Sequence, residues 1–155
     1  VVAILPAGLS LLWLRSVEQD GMAIIFWLML VVWVTDSAAY AAGRSIGGPR
    51  LAPRISPSKT WAGLVGGLTA ATLVGGLAAT ALTGSAFGPA ALTGLAIGIA
   101  CSLGDLFESY LKRTFRVKDS GGLIPGHGGV MDRLDSLLAA APVTAILYLV
   151  EWQWL

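Results

Sequence analysis

Apolar and polar positions fall in long blocks along this chain. Val1–Leu14 is apolar and gives way to a short polar connection at Arg15, Glu18, Gln19 and Asp20. Gly21–Ala42 follows with a single charge, Asp36, and its twenty-two residues match the roughly 20 that an α-helix needs to cross hydrocarbon. The stretch 43–60 holds three glycines and three prolines and has no helical apolar stripe, so it reads as a loop. Trp61–Gly84 is a third span, rich in Gly and Ala, in which Gly66-Gly67 and Gly75-Gly76 suit close helix contact. After a turn at Ser85–Pro89, Ala90 to about Leu111 forms a fourth span. Ser136–Leu155 forms a fifth, with Trp152 and Trp154 where an aromatic belt would anchor it. The pattern predicts an all-α fold: a polytopic integral membrane helical bundle of about five transmembrane segments, with residues 1–155 as a single membrane-embedded domain.

Composition agrees with the pattern. Hydrophobic residues make up 55% of the chain, charged residues 12%, and the mean hydropathy is +0.76. A soluble domain carries roughly 25% charged residues, so a soluble enzyme or a nucleic-acid-binding module is excluded. No heptads, repeats or soluble domain are visible. Cys101 is the only cysteine and lies in an apolar run, so it forms no intrachain disulfide. The apolar start lacks both an initiator Met and a basic region, which reads as an N-terminally truncated membrane segment and not as a signal peptide.

Where the charges stand matters more than their sum. Nine of the ten basic residues fall within 43–60 and 112–133, connections that the third and fourth spans place on one side of the membrane. By the excess of Lys and Arg in cytoplasmic connections, that side faces the cytoplasm.

Ten of the nineteen Asp, Glu, Lys and Arg residues, together with the only His, lie in 105–135, DLFESYLKRTFRVKDSGGLIPGHGGVMDRLD. Asp105, Glu108 and Lys112 recur at intervals of three and four, which puts them on one helix face with Ser109 beside them. Asp132 and Asp135 repeat the interval where a further helix would begin. Carboxylates so placed suit a hard cation such as Mg²⁺, which is commonly held by one or two carboxylates plus substrate phosphates. Lys112, Arg113, Arg116 and Lys118 add positive charge, and Arg133 offers a fork-shaped donor for phosphate. Between them, SGGLIPGHGG holds five glycines and a proline, backbone able to approach a phosphate closely. His127 within it could donate a hydrogen bond or move a proton near neutral pH. Each residue also has a plainer reading as solvated loop charge, least so Asp105, which directly follows an apolar run.

The order Ser109, Lys112–Arg113, Lys118–Asp119, Ser120, Pro125–Gly129 and Asp132–Arg133 with Asp135 closely resembles the signature of phosphatidate cytidylyltransferases, also called CDP-diacylglycerol synthases. A second segment is similar to the same family: DSAAYAAGR and SPSKTWAGLVGG, with Asp36, Tyr40, Gly43, Arg44, Ser56, Pro57, Lys59 and Thr60 at matching positions. Ser58 and Ala62 depart from it, standing where a basic or Gly residue and a Glu or Gln are more usual. Ser56–Thr60 reads either as an ordinary helix cap or as a phosphate site at a helix N-terminus. Asp36 reads either as a structural partner of Arg44 or Lys59 or as a substrate contact.

The resemblance covers about residues 33–140. It implies cytidylyl transfer from CTP to phosphatidate, giving CDP-diacylglycerol and pyrophosphate, at a bacterial inner membrane with the site facing the cytoplasm. On that reading Asp105 and Asp132 take the metal, with Glu108 or Asp135 as further ligands. Lys112, Arg113, Arg133 and Lys59 neutralise phosphates. Asp36, Ser56, Thr60, Ser109, Lys118, Asp119, His127, Gly128 and Gly129 bind substrate, and the 120–129 loop folds over the nucleotide. The cofactor is Mg²⁺, a second metal ion and a homodimer remain open, and no nucleic acid is involved. Two rivals stay in view: a CTP-dependent lipid-alcohol kinase and an ion-coupled transporter using Asp36 and Asp105.

Overall fold

The computed structural model describes residues 3–17, 20–115 and 131–150, with backbone only at 131–133. Five helices and one hairpin follow in the order α1 (Ile4–Ser16), α2 (Gly21–Ser45), β1 (Arg50–Ala52), β2 (Ser56–Thr60), α3 (Trp61–Thr83), α4 (Phe87–Thr114) and α5 (Met131–Leu149). The helical bundle expected from the apolar blocks is present. Among the described residues α2, α3 and α4 are long and apolar enough to cross a membrane, while α1 and the apolar part of α5, Leu134–Leu149, are shorter. At about 1.5 Å per residue, the 25 residues of α2 exceed the roughly 30 Å of hydrocarbon that a membrane-crossing helix must span.

Element boundaries follow local chemistry. α2 stops before Gly47 and Gly48, which take φ of 67° and 93°, conformations closed to most side chains. Thr60 caps α3, its hydroxyl accepting from the Gly63 N–H at 3.1 Å, and Gly84 at φ 72° ends that helix. α4 begins at Phe87 inside the expected turn, since Pro89 in a first helical turn gives up only an N–H that has no intrahelical acceptor. α5 starts five residues before the expected Ser136 and keeps Pro142 in its interior. The expected anchors Trp152 and Trp154 lie outside the described residues.

Small residues set the distances between helices. A Cβ built on Gly67 would meet the Thr35 carbonyl oxygen and the Ala39 Cβ, both at 3.1 Å, so α3 lies directly on α2. A Cβ on Gly75 would fall 2.7 Å from Gly94 Cα, which joins α3 to α4. On Gly104 it would fall 2.5 Å from the Ala139 Cβ, which joins α4 to α5. Within the bundle Trp27 is buried, and its indole N–H donates to the Gly75 carbonyl at 2.8 Å, so the one polar atom of a large apolar side chain is satisfied. The opposite faces carry large apolar side chains outward, among them Leu9, Leu12, Phe26, Trp33 and Leu77. Such a surface is costly in water and ordinary against lipid tails.

The stretch 43–60, expected to be a loop, instead ends α2 and then forms an antiparallel hairpin. Its strands pair Arg50 with Thr60 and Ala52 with Ser56 around a bulge, and the turn closes with the Ile55 N–H on the Ala52 carbonyl at 3.0 Å. Pro53 occupies the second position of that turn, where its fixed φ is already suitable.

Candidate active site

The later turns of α2 and α4 and the starts of α3 and α5 meet under this hairpin and line a cavity of about 650 Å³. Two features of sequence build it. Asp36, Tyr40 and Arg44 are spaced by four on α2, so they form one ridge along the wall. β2 buries Ser56 and Thr60 at its two ends and runs straight into the capped start of α3, which brings Lys59 into the lining.

At the centre, Lys59 Nζ stands 2.5 Å from Asp105 Oδ2 on α4, with the two side chains 20% and 40% exposed. Both groups therefore remain within reach of a ligand. On the next helix Ser136 Oγ donates to Asp36 Oδ1 at 3.1 Å, and the Ser136 N–H donates to Asp135 Oδ1 at 2.8 Å. Ser136 is itself buried and joins α5 to α2. Asp36, Asp105 and Asp135 are close enough to repel one another and share one cavity. Their repulsion is offset by Lys59 and by the Ser136 donors, and a bound cation would offset it further.

Of the residues singled out from sequence, Asp36, Ser56, Lys59, Thr60, Asp105, Ser109 and Asp135 line the cavity. Thr60 does so while also capping α3, and of the partners foreseen for Asp36, Lys59 goes to Asp105 while the Asp36 hydrogen bond comes from Ser136. Glu108, Lys112 and Arg113 stand outside the lining. Lys112 Nζ is 3.2 Å from Glu108 Oε1, Glu108 faces Asp135 across the α4–α5 contact, and Arg113 Nε donates to the Ile55 carbonyl of the hairpin at 3.4 Å. The readings of Lys118, Asp119, His127, Gly128 and Gly129 fall outside the described residues, as do those of the Asp132 and Arg133 side chains, whose backbone forms the first turn of α5.

Among the described residues no group of three or more His, Cys, Asp or Glu side chains is placed to hold a metal ion by itself. The donor set nevertheless fits Mg²⁺ shared with a phosphorylated ligand, because one or two carboxylates then suffice, and Asp105 and Asp135 offer oxygen to the same cavity. Ser136, Ser102 and Arg50 also line the cavity and escaped the reading from sequence. Ser136 adjoins Asp135, but nothing local marks it, since its role depends on a partner a hundred residues away.

A family model described as the cytidylyltransferase family matches residues 1–150. The chain is 51% identical over 143 residues to the phosphatidate cytidylyltransferase of Brucella suis biovar 1 (strain 1330), covering 92% of this chain and 52% of that protein. It is 41% identical over 150 residues to the phosphatidate cytidylyltransferase of Haemophilus influenzae, again 92% and 52%. With that of Bacillus subtilis (strain 168) the identity is 42% over 130 residues, covering 83% and 48%. The chain thus spans about half the length of these curated relatives.

Proposed function

The chain belongs to the cytidylyltransferase family, and from that premise we propose that it carries the site at which a cytidylyl group passes from CTP to phosphatidate, giving CDP-diacylglycerol and pyrophosphate. The observation that carries the reading is the cavity under the hairpin, where a cation on β2, carboxylates from three helices and hydroxyls of β2 and those same helices converge. A reaction between two phosphorylated substrates needs such mixed charge, because phosphates must be neutralised and a metal ion retained.

In the proposed reaction a phosphate oxygen of phosphatidate attacks the α-phosphorus of CTP. A new P–O bond forms as the bond to the β-phosphate breaks, and the electron pair leaves with pyrophosphate. The attacking oxygen is already anionic near neutral pH, so no strong general base is required, and His127 is assigned to binding or loop shape. The protein's work is positioning and charge neutralisation. Lys59, parted from Asp105, swings its ammonium to a phosphate; Ser56, Thr60 and Ser109 offer hydroxyl donors; Ser136 holds Asp36 in the wall. Asp105 and Asp132, with Glu108 or Asp135, would hold Mg²⁺, which when bound neutralises phosphate oxygens and the departing pyrophosphate.

The concentration of basic residues at this end supports a cytoplasmic orientation, on the side of the nucleotide pool. The bacterial sources of the relatives support a bacterial inner membrane as its place. The test is incubation of membranes carrying the protein with CTP and phosphatidate. Formation of CDP-diacylglycerol with one pyrophosphate per lipid is the result foreseen, and absence of that product under conditions where a known relative is active would refute the reading.

A further inference from the structure

Within the cavity the cations are not equally engaged. Lys59 is paired with Asp105, whereas Arg44 at the end of α2 and Arg50 on β1 have no carboxylate partner among the described residues. Arg50 donates only to the Ser58 carbonyl, at 3.3 Å, and both guanidinium groups are exposed. A guanidinium presents a planar fork of donors that matches a phosphate monoester, and two of them together balance its two charges. These two residues of the lining therefore differ in chemistry from Asp36, Asp105 and Asp135, which would repel a phosphate in the absence of a metal ion.

An exposed aromatic stripe on α2 ends beside Arg44. Tyr40 lines the cavity one turn from Arg44 and is 69% exposed. Seven and fourteen residues earlier stand Trp33 and Phe26, exposed by 68% and 65%. At about 100° per residue, positions seven apart nearly coincide in direction, so the three rings form one outward stripe along α2, ending at the cavity mouth. The buried residues of α2, such as Leu28, Val31 and Thr35, lie on its other side.

We propose that the phosphate of phosphatidate binds Arg44 and Arg50 while its acyl chains lie along the Phe26–Trp33–Tyr40 face of α2, leaving the carboxylate side of the cavity to the nucleotide. This division of the cavity rests on the activity proposed above. It explains why one pocket carries both carboxylates and arginines that lack a carboxylate partner among the described residues, and it lets a lipid reach the site sideways without leaving the membrane.

The test has two arms, each on the whole protein in vesicles. In steady-state assays Arg44→Gln and Arg50→Gln should each raise the apparent KM for phosphatidate about tenfold, in line with the loss of a hydrogen bond between charged groups, and should move the KM for CTP less than about twofold. Arg44→Lys should recover part of the loss, and an unchanged KM for CTP shows that the variants are folded. A rise in the KM for CTP alone, or no change in either, overturns the assignment. In the second arm, phosphatidate with a photoreactive acyl chain should label the α2 segment containing Trp33 in the wild type, less so in both Gln variants, and glycerol 3-phosphate should compete only weakly. Labelling confined to other helices, or equal competition by the chainless phosphate, overturns the acyl track. Because labelling needs no turnover, a wild type that labels as described but makes no CDP-diacylglycerol would refute the proposed activity and leave the lipid site standing.

Discussion

Replacement of Lys59 by Met separates a functional ion pair from a structural one. Lys59 and Asp105 are in contact yet partly open to the cavity, with 20% and 40% of their side chains exposed. Solvent screening keeps the contribution of such a pair to stability small, about 1 kcal/mol, which for a chain of this size corresponds to a fall of roughly 3 °C in Tm. The demand on Lys59 during phosphate chemistry is larger. Loss of one preorganised group that stabilises developing charge typically costs a factor of about 10²–10³ in kcat. Lys59→Met should therefore keep its fold, melting within a few degrees of the wild type in detergent, while incorporation of labelled CTP into lipid falls about a hundredfold or more. Met has similar bulk, so packing against the hairpin is little disturbed. If the variant loses several degrees of Tm but turns over near the wild-type rate, the pair is a structural strut and the chemistry lies elsewhere in the cavity.

Asp36→Asn and Ser136→Ala should each lower kcat, and because the two side chains share one 3.1 Å hydrogen bond, a double-mutant cycle on activity should show coupling of about 1 kcal/mol; strictly additive losses would mean that Ser136 does not position Asp36. Gly75→Ala places a methyl group 2.7 Å from Gly94 Cα, so it should destabilise the bundle by about 1–3 kcal/mol, seen as a lower Tm, whereas Gly88→Ala, with open space around its Cβ position, should not. Chelation of divalent ions should abolish cytidylyl transfer and added Mg²⁺ should restore it; activity persisting in excess chelator would remove the metal from the account.

The helices were legible because apolar runs of twenty or more residues leave the chain few alternatives in a bilayer, and their joints lie where Gly and Pro place them. Gly47, Gly48 and Gly84 end helices as their backbone angles require. The hairpin was not legible. Ser56–Thr60, SPSKT, lacks the β-branched and aromatic character of ordinary strands, and it is held by partners far off in sequence, including Arg113 against the Ile55 carbonyl. Within the site, the spacing of Asp105 on its helix and the polar start of α3 pointed to residues that line the cavity. The pairing of Lys59 with Asp105 and the bond from Ser136 to Asp36 span 46 and 100 positions, and no local pattern encodes which partner a charged side chain finds. The apolar span was read from Ser136, whereas the helix that Asp132 and Asp135 were expected to open already includes Met131, and Asp in a first turn is favourable to the helix dipole.

The central claim is that this cavity joins phosphatidate to the α-phosphorus of CTP. It is tested most directly by supplying membranes that carry the protein with phosphatidate and CTP labelled at either the α- or the γ-phosphorus. The account predicts that α-label enters the lipid fraction and γ-label leaves as pyrophosphate, both dependent on Asp105. Transfer of γ-label to lipid with release of CDP would contradict it and make the protein a lipid kinase.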